Sequence, residues 1–292
     1  MKKRRTFFLR FAFSVLFLLT GSVCLLLWFF GSAFIGPFPY KNQPVPKDFP
    51  VEAVTFKDEA QTELKGWLVR GEQGKGVVLV LHGHGGNKSL MLGRVKFLNR
   101  AGYTVFVFDF QGHGESALKS VTVGYEEARN IRAALALLKS RLPGQKIAII
   151  GPSLGGAALL VKGQVIEADT YILEGVFTTL EKTGEHRIAQ FFGPTMGYIL
   201  APFLVAQTRI RLGFDAFLLA PIESVSDLKA PVLVIGGSAD PFVFPEETQA
   251  LFDRVSAPKE LWLVEGAGHF DFYMFVPEEY ERRVLEFLNK YL

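Results

Sequence analysis

Lys146-Ile147-Ala148-Ile149-Ile150-Gly151-Pro152-Ser153-Leu154-Gly155-Gly156 decides the fold. Its first half is a short run dominated by apolar β-formers, the pattern of a strand buried on both faces. Its second half fits G-x-S-x-G and opens a helical stretch that the sequence predicts over Gly155 to Gln164. A serine hydroxyl is a poor nucleophile unless it is held exposed beside a base, and a sharp strand-to-helix turn holds it so, with glycines leaving room for the bend. The N-terminus of the helix adds backbone N–H groups that face a developing oxyanion. Taken alone, the pentapeptide also suits an ordinary glycine-rich turn.

Working outward, buried-strand runs recur at Val77 to Leu81, Thr104 to Phe108, Thr170 to Leu173, Val232 to Ile235 and Glu260 to Val264. Val51 to Phe56 and Leu64 to Arg70 read as an opening antiparallel pair. Helical stretches fall between the later runs, at Leu90 to Ala101, Tyr125 to Arg141, Glu246 to Ser256 and Glu278 to Leu292. In the second of these, Ala128, Ile131, Leu135 and Leu138 recur at intervals of three and four, one face of a helix. Alternating strand and helix predict an α/β fold, a mostly parallel sheet covered on both faces, over 51–292. The alternation breaks between Phe177 and Lys229, an insertion of about fifty residues against the usual two to six. It is apolar and punctuated by Pro194, Gly197 and Pro202. We read 178–229 as a helical cap over the C-terminal edge of the sheet, where open α/β sheets bind ligands.

Three further stretches follow strand ends. His82-Gly83-His84-Gly85-Gly86 follows the first buried strand, Asp240 follows the strand ending at Ile235, and His269 follows the last strand. The chain order Ser153, Asp240, His269 is that of a nucleophile, acid and base triad on this kind of sheet, and because each residue lies just beyond the C-terminal end of a strand, all three are expected to converge on one edge.

On these motifs the sequence resembles the α/β-hydrolase superfamily, particularly membrane-anchored, serine-aminopeptidase-like hydrolases with an HGxGG loop, over about Val51 to Leu292. The resemblance implies Ser153 as nucleophile, His269 as base and Asp240 as the acid that orients it. It also implies oxyanion donors at the backbone N–H groups of Leu154 and His84. Asp109-Phe110-Gln111-Gly112-His113-Gly114-Glu115-Ser116 is similar to the family's D-x-R-G-H-G-x-S loop, with Gln111 in place of arginine. That departure is expected to remove a positive charge near the cleft.

Other polar residues read more plainly. His82 and His84 form an H-x-H pair, but Gly85-Gly86-Asn87 supplies none of the further ligands that a metallo-hydrolase needs. His113, between glycines, reads as a loop-fixing residue, and His186 as an exposed cap residue or a substrate contact. Glu174, just after a strand, is an alternative acid to Asp240. No Walker loop or dinucleotide fingerprint is present, so neither cofactor nor metal is expected.

The formal charge is +3, and Lys2, Lys3, Arg4, Arg5 and Arg10 carry five positive charges; subtracting them leaves −2 for the rest. A slightly acidic body offers no footprint for nucleic acid. The single cysteine, Cys24, excludes an internal disulfide and reads as a small apolar side chain buried in a helix. It lies within Phe11 to Phe30, a stretch without charge and about as long as a helix needs to cross a bilayer. Residues 1–35 therefore read as a basic end and signal-anchor transmembrane helix, and 36–50, rich in proline, as a stiff linker. The KKRR cluster before the helix, against Lys41 and Lys47 after it, places the N-terminus in the cytoplasm and the catalytic domain outside. Cleavage after Gly31-Ser32-Ala33, giving a secreted protein, is the alternative.

These parts support acyl transfer from an ester, thioester or amide, with a carboxylesterase or lipase-like esterase expected. The partner is a small-molecule acyl substrate, and no protein partner is implied. A catalytically silent binding protein on the same fold, or a triad-dependent lyase or peroxidase, uses the same sequence features.

Overall fold

Successive residues of Val77-Val78-Leu79-Val80 bury their side chains on opposite sides of one sheet, which explains why the run is apolar throughout. Val77 and Leu79 enter one hydrophobic cluster and Val78 and Val80 the other. In the computed structural model, which describes residues 2–41, 43–46 and 49–292, eight strands form this sheet. They are β1 (Glu52–Lys57), β2 (Glu63–Val69), β3 (Val77–Val80), β4 (Thr104–Phe108), β5 (Ile147–Pro152), β6 (Thr170–Glu174), β7 (Val232–Gly237) and β8 (Lys259–Val264). The order is β1-β2-β4-β3-β5-β6-β7-β8. β1 and β2 run antiparallel, β2 runs antiparallel to β4, and every later pairing is parallel.

The α-helices are α1 (Lys2–Ile35), α2 (Leu92–Arg100), α3 (Glu127–Arg141), α4 (Leu154–Leu159), α5 (Leu180–Phe192), α6 (Pro194–Val205), α7 (Gln207–Arg211), α8 (Pro221–Ser224), α9 (Pro245–Arg254), α10 (Phe272–Phe275) and α11 (Pro277–Tyr291). Side chains of α3, α4 and α9 fill the cluster on one face of the sheet, and those of α2 and α11 fill the other. The helix expected over Gly155 to Gln164 stops at Leu159, and the chain turns back through Gly163 in the left-handed region, φ +72°. Residues 178–229 are helical, carrying α5 to α8 between β6 and β7.

α1 includes one stretch, Thr6–Ile35, long and apolar enough to cross a membrane. Cys24, read from the sequence as buried, is exposed on it, because much of this helix stands clear of the domain. Of the basic residues used to orient the helix, Lys47 and the side chains of Lys2, Lys3 and Arg5 lie outside the described residues. Beyond α1, Phe38 is stitched to the domain. Its N–H donates to the Gly112 carbonyl at 2.5 Å, its carbonyl accepts from the Gly114 N–H at 3.2 Å, and its ring stacks on His113.

Candidate active site

Ser153 sits at the turn between β5 and α4 with φ +46° and ψ −111°, a conformation that strains any residue with a Cβ. The flanking glycines allow the turn through close packing. A Cβ on Gly151 would fall 2.8 Å from the Gly156 backbone, and one on Gly155 would fall 2.8 Å from the Leu81 Cβ. The Ser153 N–H donates to the Glu174 carbonyl at 2.7 Å, which ties the turn to the end of β6.

The structure brings Ser153, His269 and Asp240 together. Ser153 Oγ lies 3.2 Å from His269 Nε2, and His269 Nδ1 donates to Asp240 Oδ2 at 2.7 Å. Asp240 is buried, and its other oxygen accepts from the N–H groups of Phe242 and Val243 at 2.8 and 2.9 Å. Those two bonds fix the carboxylate, and the carboxylate fixes the imidazole tautomer that turns Nε2 toward the serine. Neither the Leu154 nor the His84 backbone N–H donates to an acceptor among the described residues. The Gly83 Cα borders the serine, since a Cβ built on it would lie 3.8 Å from the Ser153 Cβ.

Three histidines hold the neighbouring loops. His82 Nδ1 donates to the Gly83 carbonyl, and its Nε2 accepts from the Phe110 N–H. His113 Nδ1 donates to the Gln111 carbonyl, and its Nε2 accepts from the Gly85 N–H at 3.1 Å. His84 Nε2 donates to the Phe34 carbonyl at 2.7 Å, in the last turn of α1. Burial holds His84 and His113 neutral, pushing each down to about 4. Nearby, Lys88 is buried between Asp109 and Glu115, 2.5 Å from each, so the loop from Asp109 to Ser116 is anchored from below. Among the described residues, no group of three His, Cys, Asp or Glu side chains is placed to hold a metal ion.

Three sequence expectations change here. Glu174, the alternative acid, borders the same cavity as His269 but bonds to other partners. Its carboxylate accepts from Arg94 Nη2 at 2.6 Å and from the Tyr280 hydroxyl, and Arg94 also holds Asp271 at 2.6 Å. Gln111 does not face the cleft. Its side chain is packed beneath the loop, donating to the Ser120 carbonyl and to Glu126, so its replacement of arginine alters the support of the loop. His186, expected to be exposed, is buried between the cap and the Asp240 loop, bonded to the Phe242 carbonyl at 2.9 Å and stacked on Phe244.

Two cavities meet at Ser153. One is apolar, lined by Leu154, Phe177, Leu180 and Leu204, and by Gly31 and Phe34 of α1. The other is more polar and holds His269, Arg94, Glu174 and Asp271. Arg187 borders both. It lies over the rings of Phe34 and Phe242, with no ion pair among the described residues, and burial lowers its pKa. Sequence reasoning missed the α1 residues and Arg187, because nothing local to either segment signals a contact across some 150 residues of chain.

The chain as a whole is similar to known proteins. YqkD of Bacillus subtilis, an uncharacterized protein, is 26% identical over 232 residues, covering 78% of this chain and 75% of its own. The alpha/beta hydrolase domain-containing protein WAV2 of Arabidopsis thaliana is 25% identical over 274 residues, covering 86% and 83%. Among solved structures, the esterase Pf2001 of Pyrococcus furiosus superposes with a TM-score of 0.71 at 28% identity, covering 87% of this chain and 99% of its own. The family model described as the alpha/beta hydrolase family matches residues 77–283, and the chain belongs to that family.

Proposed function

We propose that this chain is a serine hydrolase that cleaves a carboxylic ester with an apolar acyl group, using Ser153 as nucleophile, His269 as base and Asp240 as orienting acid. The observation that carries this reading is the hydrogen-bonded chain from Ser153 Oγ through His269 to the buried Asp240 carboxylate, at 3.2 and 2.7 Å. His269 takes the serine proton as Oγ attacks the ester carbonyl carbon. The backbone N–H groups of Leu154 and His84, which have no acceptor among the described residues, receive the resulting oxyanion. Collapse expels the alcohol, protonated by His269, and leaves an acyl-enzyme on Ser153. Water, deprotonated by His269, then releases the acid and restores the serine. The esterase neighbour at 28% identity supports ester as the preferred bond.

We also propose that 1–35 is a signal-anchor segment, 36–50 a linker, and 51–292 the hydrolase domain with its cap at about 178–229, shielding Ser153. The KKRR end would lie in the cytoplasm and the hydrolase domain outside it. Protease protection of the domain in intact cells, with an intact mass that includes residues 1–35, is the expected result; a mass starting near Phe34 overturns the anchor.

The decisive test is Ser153→Ala. Turnover of p-nitrophenyl esters and labelling by a fluorophosphonate fall by several orders of magnitude, while thermal unfolding stays near that of the parent. A folded Ser153→Ala protein with undiminished turnover overturns the reading.

A further inference from the structure

The last turns of α1 reach the candidate site. Gly31, Phe34 and Ile35 line the apolar cavity together with Ser153, and with Leu180 and Leu204 of the insertion. The helix is held in one register there. Gln207 Nε2 donates to the Leu27 carbonyl at 3.0 Å, Arg211 donates to the Trp28 carbonyl at 3.0 Å and to Ser32 Oγ at 2.8 Å, and His84 donates to the Phe34 carbonyl. Four hydrogen bonds, spread from Leu27 to Phe34, thus hold one register, which keeps the same residues turned to the cavity. Gly31 marks the close approach, since a Cβ there would fall 2.7 Å from Gln207 Oε1.

The outer face of the insertion tells what lies around it. Phe191, Tyr198, Phe203 and Ile210 are each at least 65% exposed, and α6 carries no charged side chain. The Phe191 ring meets Phe30 of α1 at 6.2 Å, edge to face, so this patch continues the exposed apolar surface of α1 itself. A contiguous apolar face of this kind on a domain marks an interaction surface. Its continuity with a helix long and apolar enough to cross a bilayer names the partner as the same lipid phase.

We propose that the last turns of α1 form one wall of the acyl pocket, and that its occupant is the acyl chain of an ester amphiphile drawn laterally from the bilayer that holds α1. The proposal rests on the serine hydrolase and signal-anchor readings above. The membrane helix then sets which chain fits, with Gly31 and Phe34 as specificity-determining residues.

The test uses the full chain in phosphatidylcholine nanodiscs. Gly31→Leu narrows the pocket and lowers the ratio of kcat/KM for p-nitrophenyl decanoate over acetate at least tenfold. Phe34→Ala widens it and moves the preferred chain length upward by two or more carbons. Phe17→Ala, exposed and about four turns earlier on α1, leaves the profile of the parent. At fixed bulk ester, turnover of the decanoate follows its mole fraction in the disc; turnover that follows bulk concentration overturns lateral entry. A decyl fluorophosphonate with a terminal diazirine locates the chain without turnover. Ser153 Oγ displaces fluoride from phosphorus, its proton passing to His269, and photolysis then crosslinks the chain end to Gly31, Phe34 or Ile35. Crosslinks confined to the Phe270 and Met274 side of the second cavity, or folded Gly31→Leu and Phe34→Ala proteins with the parental profile, overturn this proposal alone. A parent that forms no Ser153 adduct and turns over no ester overturns the hydrolase reading and this proposal together.

Discussion

Glu174 and Asp240 are both buried carboxylates at the ends of adjacent parallel strands, β6 and β7, and their surroundings give them opposite roles. Asp240 has one oxygen on two backbone N–H groups and the other on His269. Glu174 has both oxygens on Arg94 and Tyr280 and none on the imidazole. Position at a strand end makes a carboxylate available to the site; its hydrogen-bond partner decides what it does there. The Glu174 cluster locks α2 and α11 to the sheet, since Arg94 lies on one helix and Tyr280 on the other. The Asp240 chain leaves one imidazole nitrogen turned to Ser153.

The sharpest way to break this comparison is Asp240→Asn. Its Oδ1 keeps the two backbone bonds, so the fold persists, but the amide presents a donor to His269 Nδ1 and selects the wrong tautomer. We expect kcat to fall by about 10⁴-fold, read with a p-nitrophenyl ester. Retention of parental kcat would mean that the imidazole is oriented by something else.

Arg94→Met addresses the other cluster. It leaves the Glu174 carboxylate buried without its cation, and loss of about 3–5 kcal/mol is expected from urea unfolding. The kcat of the folded fraction changes far less than in Asp240→Asn. Glu174→Gln is milder, because Arg94 keeps Asp271 and the amide still bonds Tyr280. A cost of about 1–3 kcal/mol is expected, with kcat near that of the parent. Loss of turnover in Glu174→Gln beside normal turnover in Asp240→Asn would reverse the two assignments.

The smallest effect concerns imidazoles bonded to backbone groups rather than to a carboxylate. His84 and His113 stay neutral down to about 4, whereas an unfolded chain protonates them near 6.5. Between these values the unfolded state binds more protons, so stability is full above pH 6.5 and falls as pH drops toward 4. Unfolding midpoints at pH 7.5, 6 and 5 test this, and His113→Gln flattens part of the slope. A midpoint that does not move between pH 7.5 and 5 overturns it.

Much of the sheet was legible because burial on both faces forces apolar runs such as Val77 to Leu81 and Thr104 to Phe108. Both appear as strands within a residue of their expected ends. The exchange of β3 and β4 in the sheet order was not legible, since pairing depends on crossovers that no local pattern encodes. The positions brought together at the site, Ser153, Asp240 and His269, each announced themselves by following a strand. The partners that discriminate Glu174 from Asp240 did not, because Arg94 and Tyr280 are far from both in sequence and look like ordinary helix residues. His186 misled for a related reason: a histidine in an amphipathic stretch carries no sign of the Phe242 carbonyl that buries it.

At Ser153 the backbone and the side chain make opposite demands. At φ +46° a residue with a Cβ is strained by about 1–3 kcal/mol, and glycine there is free of that strain. Ser153→Gly is thus expected to give an inactive protein that unfolds at a higher temperature than the parent. The hydroxyl at this turn is therefore held against a local backbone preference for glycine.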